Sequence, residues 1–266
     1  MQSAAAVSPM SATEVDLERR FGGVARLYGD RALPRLASAS VCVVGIGGVG
    51  SWVVEALARS GIGHLTLIDL DHVAESNINR QAHALDSTLG QAKVLAMRAR
   101  VLDINPVCQV TTIDDFLTPE NVADLLAGFD LIVDAIDNVR AKVAMAAHCR
   151  QHRMALIMAG GAGGKTDPTR IRVDDLSRTE QDPLLAKVRA QLRKVHGFPR
   201  DPRRKFAIEA VYSCEPLRYP SAAACETGRG PQGLACAGYG SSMAMTASVG
   251  LFVSARALNH LLETVV

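Results

Sequence analysis

The stretch Val41-Cys42-Val43-Val44-Gly45-Ile46-Gly47-Gly48-Val49-Gly50 decides the fold. Its first four residues form a short continuous apolar run, the mark of a strand buried on both faces in a parallel sheet. The glycines that follow permit a tight turn and close backbone approach. The helix they open, predicted to end near Ser60-Gly61, offers unpaired N–H groups to an anion.

Working outward, the same alternation repeats. Residues 64–69 read as a second strand that ends in Asp69. The polar stretch 71–89 reads as loop with short helical pieces, and 91–103 as a helix stopped by Asn105-Pro106. Strands are predicted at 108–113, 131–135 and 155–159, with helices at 120–126 and 139–152. Upstream, 14–36 is predicted helical with a break at Gly22-Gly23. Strands alternating with helices mean a doubly wound sheet, with ligands at the carboxyl ends of its strands. Asp69, Asp137 and Gly160-Gly161 fall at such ends.

The pattern changes after Lys165. Residues 170–173 and 208–212 read as strands of an added antiparallel portion, separated by a helix over 183–194 and a basic loop. Residues 219–240 read as a mobile loop rich in Gly, Pro, Ala and Cys. The expected class is therefore α/β, a Rossmann-like doubly wound and mostly parallel sheet with an antiparallel C-terminal extension. The expected division is a disordered tail over 1–12, a nucleotide-binding domain over 13–175, and an extension of the same fold over 176–266.

Composition agrees with a globular chain. Apolar residues make up 48% of the 266 and charged residues 21%, and the net charge of +2 is too small to argue for nucleic acid by itself. Cys42, Cys108, Cys149, Cys214, Cys225 and Cys236 are spread out with no Cys-x-x-Cys pair, which fits a reducing cytoplasm and no zinc. Residues 243–262 are apolar but interrupted by Arg256, Asn259 and His260. They read as a buried or interfacial helix rather than a membrane span, with contact to a membrane surface left open.

The glycine turn alone also suits a dinucleotide oxidoreductase. Ser76-Asn77-Ile78-Asn79-Arg80-Gln81 and Gly90-Gln91-Ala92-Lys93 argue for a polyphosphate instead. Arg80 can clamp it by bidentate hydrogen bonds, and Lys93 can serve as a point charge. Asp69 can accept from ribose hydroxyls, and Asp137 can hold Mg²⁺. Each has a plainer reading: surface charges for Arg80 and Lys93, a helix cap for Asp137. Together on one rim they point to ATP with Mg²⁺, with Gly45, Gly47, Gly48, Gly50, Asp69, Asn77, Arg80, Gln81 and Lys93 at the nucleotide. Arg80, Lys93 and Asp137 would be catalytic.

These residues resemble the ubiquitin-activating-enzyme-like superfamily: Gly45-x-Gly-Gly-x-Gly50, Asp69-x-Asp71, Asn77-x-x-Arg80-Gln81, Gly90-Gln-x-Lys93 and Asp137-Asn-x-x-Arg140 follow in order. Arg20-Phe-Gly-Gly-x-Ala-Arg-Leu-Tyr-Gly29, Gly160-Gly-Ala-Gly-Gly164 and Gln181-Asp-Pro-Leu184 are similar to the tRNA threonylcarbamoyladenosine dehydratase family. That resemblance implies ATP-dependent cyclisation of a modified adenosine in tRNA by a homodimer. It leaves open an alkali metal ion and a sulfur-transfer (cysteine desulfurase) partner. Relatives often carry a second N-terminal arginine that reaches a neighbouring subunit's phosphates. Here that role is missing or moves to Arg20 or Arg26.

Between Lys187 and Lys205 lie eight basic residues opposed by Asp201 alone. A solvated helix face is the plain reading. With a tRNA substrate implied, Arg189, Arg193, Lys194, Arg203, Arg204 and Lys205 are expected to contact its phosphates. Cys236 sits where some relatives place a reactive cysteine, and an ordinary loop residue is an equal reading. The competing functions are activation of a ubiquitin-like sulfur carrier, nicotinamide-dependent oxidation, and non-catalytic nucleotide sensing.

Overall fold

The structure is a computed structural model that describes residues 15–201, 203–219 and 239–263. The strands are β1 (Ser40–Val44), β2 (His64–Ile68), β3 (Gln109–Ile113), β4 (Leu131–Asp134), β5 (Leu156–Ala159), β6 (Ile171–Asp175) and β7 (Glu209–Ser213). They form one sheet in the order β3-β2-β1-β4-β5-β7-β6. Every neighbouring pair is parallel except β6 with β7.

Alternation of side chains explains why β1 reads as an unbroken apolar run. Val41 and Val43 enter one core while Cys42 and Val44 enter the other. The first core is covered by α2 (Ala32–Ser38), α3 (Gly50–Arg59), α4 (Lys93–Ile104) and α8 (Met243–Glu263). The second is covered by α5 (Val122–Leu125), α6 (Val139–His152) and α7 (Pro183–Val195). The sheet reverses its winding between β1 and β4, so the ligand crevice opens where both strands end.

One expectation needs correction. The N-terminal helix α1 (Leu17–Tyr28) runs straight through Gly22-Gly23, with Phe21 and Gly22 on its buried face. The break comes at Gly29, whose positive φ of 95° is open to glycine and costly for other residues. The antiparallel extension expected after Lys165 is present and continuous with the main sheet. Its later strand, β7, pairs in parallel with β5 inside the main sheet, and only β6 runs the other way.

The C-terminal α8 buries one face, from Met245 to Leu261, against the core. Among the described residues no helix is long and apolar enough to cross a membrane.

Candidate active site

The glycine turn connects β1 to α3 at the crevice. Gly45 takes φ 88°, and a methyl group there would stand 2.7 Å from Ile136 Cγ2 and 3.0 Å from the Ala135 carbonyl. At Gly50 a methyl group would stand 1.8 Å from the Gly45 carbonyl. These positions therefore exclude any side chain. No side chain caps α3. Among the described residues, the N–H groups of Gly47, Gly48, Val49 and Gly50 find no protein acceptor. Four donors at a helix N-terminus form a ready anion cradle.

The predicted polar residues gather around this turn, in two roles. Asp69 accepts the Ile46 N–H at 2.6 Å and the Asp71 N–H at 2.9 Å, so its first task is to hold the turn. Burial raises its carboxyl pKa, and nearby Lys93 together with the two N–H donors opposes that rise. Lys93 begins α4, buried, with Nζ 2.7 Å from Asp71 Oδ2. Asn77 is buried and accepts the Ala74 N–H through its side chain, while its carbonyl receives the N–H groups of Arg80 and Gln81. It shapes the turn that presents Arg80.

The Arg80 side chain lies against the glycine turn: a methyl group at Gly48 would stand 3.5 Å from its Cδ. Nη1 donates to the Ser76 carbonyl at 2.6 Å and to Asn79 Oδ1 at 2.9 Å. Among the described residues, Nε and Nη2 have no acceptor. The Arg80 carbonyl is held by Trp52 Nε1 at 2.9 Å and Thr246 Oγ1 at 3.3 Å, which joins α3 and α8 to the same loop. Gln81 is buried with Oε1 unpartnered.

Asp137 lies three residues beyond β4, exposed, with no partner for its carboxylate among the described residues. The cap of α6 is Asn138, which accepts the Ala141 N–H, so the plainer reading of Asp137 as a cap is excluded. A free carboxylate at the crevice fits a hard cation that takes its other ligands from phosphate and water.

On the far side of β5, the motifs Gly160–Gly164 and Gln181–Leu184 form one junction. Asp182 caps α7 through the Leu185 N–H and also accepts the Gly161 N–H at 2.9 Å. Buried Lys165 donates to the carbonyls of Gln181, Ser213 and Glu215 at 2.7–2.9 Å. Glu215 accepts the N–H groups of Thr166 and Asp167, which hold its carboxyl down to about 2. Gly164 receives the Arg218 N–H and donates to the Gly240 carbonyl, while Tyr219 and Tyr239 stack edge to face. Residues 217–219 and 239–240 thereby meet at Gly164.

The ThiF family model matches residues 21–264. The tRNA threonylcarbamoyladenosine dehydratase of Haemophilus influenzae is 51% identical over 249 residues, 92% of this chain and 94% of that one. The chain belongs to this dehydratase family, within the ThiF proteins. The Escherichia coli dehydratase is 47% identical over 92% of the chain and 94% of its own length. A crystal structure of that enzyme in complex with ATP has a TM-score of 0.85 at 44% identity, covering 97% of this chain and 98% of the other. A second structure, in complex with AMP, matches equally well.

The six basic residues expected at tRNA divide in two. Arg189 is spent on Thr179 Oγ1, and Arg193 stacks over Phe206 and donates to the Pro199 carbonyl. Arg189 thus ties α7 to the segment before it, and Arg193 ties α7 to the loop after it. Lys194, Arg204 and Lys205 are exposed, and Arg203 is exposed while paired with Asp201 at 3.2 Å. Arg20, a candidate for reaching a neighbouring subunit, is occupied at the end of α4, with Nη1 2.6 Å from the Ile104 carbonyl. Cys225 and Cys236 lie outside the described residues. Cys42 and Cys149 are buried in the core, and burial pushes the Cys149 thiol up to about 12.

Trp52 and Thr246 escaped the sequence reading. Their partners lie as far as 166 residues away, and no local spacing announces them.

Proposed function

We propose that this chain uses ATP to cyclise N6-threonylcarbamoyladenosine in tRNA, releasing AMP and pyrophosphate. The observation that carries the reading lies where β1 and β4 end: four turn N–H groups without an acceptor among the described residues, the Arg80 side chain against Gly48, and an exposed Asp137 next to Ile136, which packs on Gly45. Relatives of the same length include an enzyme solved with ATP and with AMP.

The chemistry follows from these groups. The turn N–H groups of Gly47, Gly48, Val49 and Gly50 hold phosphate oxygens, and Arg80 meets the charge that grows on them as the Pα–O bond breaks. Lys93 lowers the electrostatic cost of phosphates beside Asp69 and Asp71, and Asp69 has lone pairs left for the ribose. The threonyl carboxylate forms a bond to the α-phosphorus and pyrophosphate leaves. The neighbouring ureido group then attacks the acyl carbon and AMP leaves. Ring closure within one substrate requires little beyond positioning, since effective molarities reach about 10⁵ M. Asp137 would hold Mg²⁺, which supplies charge neutralisation on the phosphates when bound. No enzyme thiol enters these steps.

The same reading assigns residues 13–175 to adenylation and gives 176–266 the exposed Lys194, Arg203, Arg204 and Lys205 for the tRNA backbone. It includes a homodimer, for which Ile78, Leu85, Leu89 and Leu95 supply exposed apolar surface beside the site. Arg26 is then the arginine free to cross between subunits. A sulfur-transfer partner would meet the chain at Cys236. Nucleoside analysis of modified tRNA incubated with protein, ATP and Mg²⁺ tests the core of the proposal. The cyclic nucleoside should appear only with ATP, and adenylation of a carrier protein without it would favour the sulfur-carrier alternative.

A further inference from the structure

We infer that the buried pair Asp134–Lys142 is a positioning device that aims Asp137 and seats the glycine turn. The inference rests on the adenylation chemistry proposed above. Both side chains are completely buried, with Nζ 2.9 Å from Oδ1. Lys142 Nζ also donates to the Ala159 carbonyl at 2.8 Å, and Asp134 Oδ1 also accepts the Ile136 N–H at 3.2 Å. Asp134 Oδ2 is buried with no partner.

A pair of this kind is poor value for stability alone. Taking two charges out of water costs about as much as their attraction returns, and apolar residues of similar volume often serve as well. An unpartnered carboxylate oxygen adds to the cost. What the pair does achieve is geometric. It ties the end of β4 to the end of β5, immediately before Gly160-Gly161. It also fixes the peptide of Ile136, the residue before Asp137.

On the other side of Asp137, the Asn138 carbonyl accepts the Lys142 N–H at 3.0 Å and the Asn138 side chain caps α6. Asp137 is thus fixed by backbone on both flanks, and Lys142 contributes to both. No side chain among the described residues orients the Asp137 carboxylate directly. The Ala135–Ile136 segment is also the surface against which Gly45 packs. One ion pair therefore sets the relation between the turn that cradles phosphate and the carboxylate that faces the metal.

The test replaces the pair by apolar residues, Asp134→Leu with Lys142→Met, so that no buried charge is left alone. Melting temperature should stay within a few degrees of the starting protein, and ATP affinity without Mg²⁺ should change less than about threefold. Turnover on modified tRNA should fall about 10- to 100-fold in kcat, with little change in the KM for tRNA. The Mg²⁺ concentration for half-maximal ATP binding should rise by a similar factor, as when an outer partner of a metal ligand is lost. A folded double variant with unchanged kcat and Mg²⁺ dependence overturns the inference. If the double variant does not fold, Lys142→Gln takes its place, because one amide cannot serve Asp134 and Ala159 as the ammonium does. The same kcat loss is expected, and full kcat overturns the inference. Failure of the unsubstituted protein to turn over modified tRNA would count against the proposed function instead.

Discussion

Two layers of polar residues meet at the carboxyl end of the sheet, and they treat their hydrogen bonds in opposite ways. In the upper layer the turn N–H groups, Arg80 Nε and Nη2, and the Asp137 carboxylate have no partner among the described residues. In the layer beneath, Asp69, Lys93, Asp134, Lys142, Lys165, Asp182 and Glu215 are buried and spent on backbone or on one another. A polar atom left unpaired at a crevice is available to a ligand, whereas one paired in the interior fixes a shape. Substitutions above should therefore remove chemistry and spare the fold. Substitutions beneath should do the reverse, or act through geometry.

The sharpest way to break this division is Asp137→Ala. Turnover on modified tRNA should fall at least 100-fold, about 3 kcal/mol of transition-state stabilisation, while the melting temperature and tRNA affinity hold. Normal turnover would remove Asp137 from the upper layer. Lys165→Met should show the opposite profile. Three carbonyl oxygens lose their donor in the interior, so unfolding by denaturant should reveal a loss of about 3 kcal/mol.

Acid sharpens the comparison further. His83 is buried with neither ring nitrogen partnered, and burial together with Lys93 and Arg100 lowers its pKa from 6.5 to about 4. Above pH 6.5 the ring is neutral in the folded and unfolded chains alike. As pH falls from 6.5 toward 4, the unfolded chain takes a proton that the folded chain refuses, and stability drops by up to about 3 kcal/mol. His83→Leu should flatten that part of a plot of melting temperature against pH. Glu215 works in a more acidic window. Its depressed pKa gives stability that is present above about 4.5 and lost as pH falls toward 2. Glu215→Gln should remove this more acidic dependence and leave the His83 window untouched.

The upper layer was legible from the sequence and much of the lower one was not. The glycine turn, Arg80 and Asp137 belong to short motifs whose spacing carries their chemistry, and β1, β2, β4 and β5 follow from short runs rich in apolar residues. The lower layer depends on distant partners. Lys165 meets carbonyls 48 and 50 residues away, and Lys142 reaches Ala159 across a strand end, so each reads locally as an ordinary charge. Of the six residues expected at tRNA, Arg189 and Arg193 have internal partners, hidden from the sequence for the same reason: nothing around them reveals that Thr179 and Phe206 fold back to meet them. Gly22-Gly23 misled in the other direction. Two glycines in a helix cost about 2 kcal/mol in propensity, and burial of the Phe21 face outweighs it.

The strand order also has a consequence in time. β6 leaves the ribosome before β7, yet among the described residues its only neighbour in the sheet is β7. Until residue 213 has been made, β6 has nothing to pair with, and the outer edge of β5 stays open. Closing that edge brings together segments more than 30 residues apart, the kind of non-local pairing that slows folding. The unit that carries the glycine turn can thus take shape early, and the junction beyond β5 must wait for the last third of the chain.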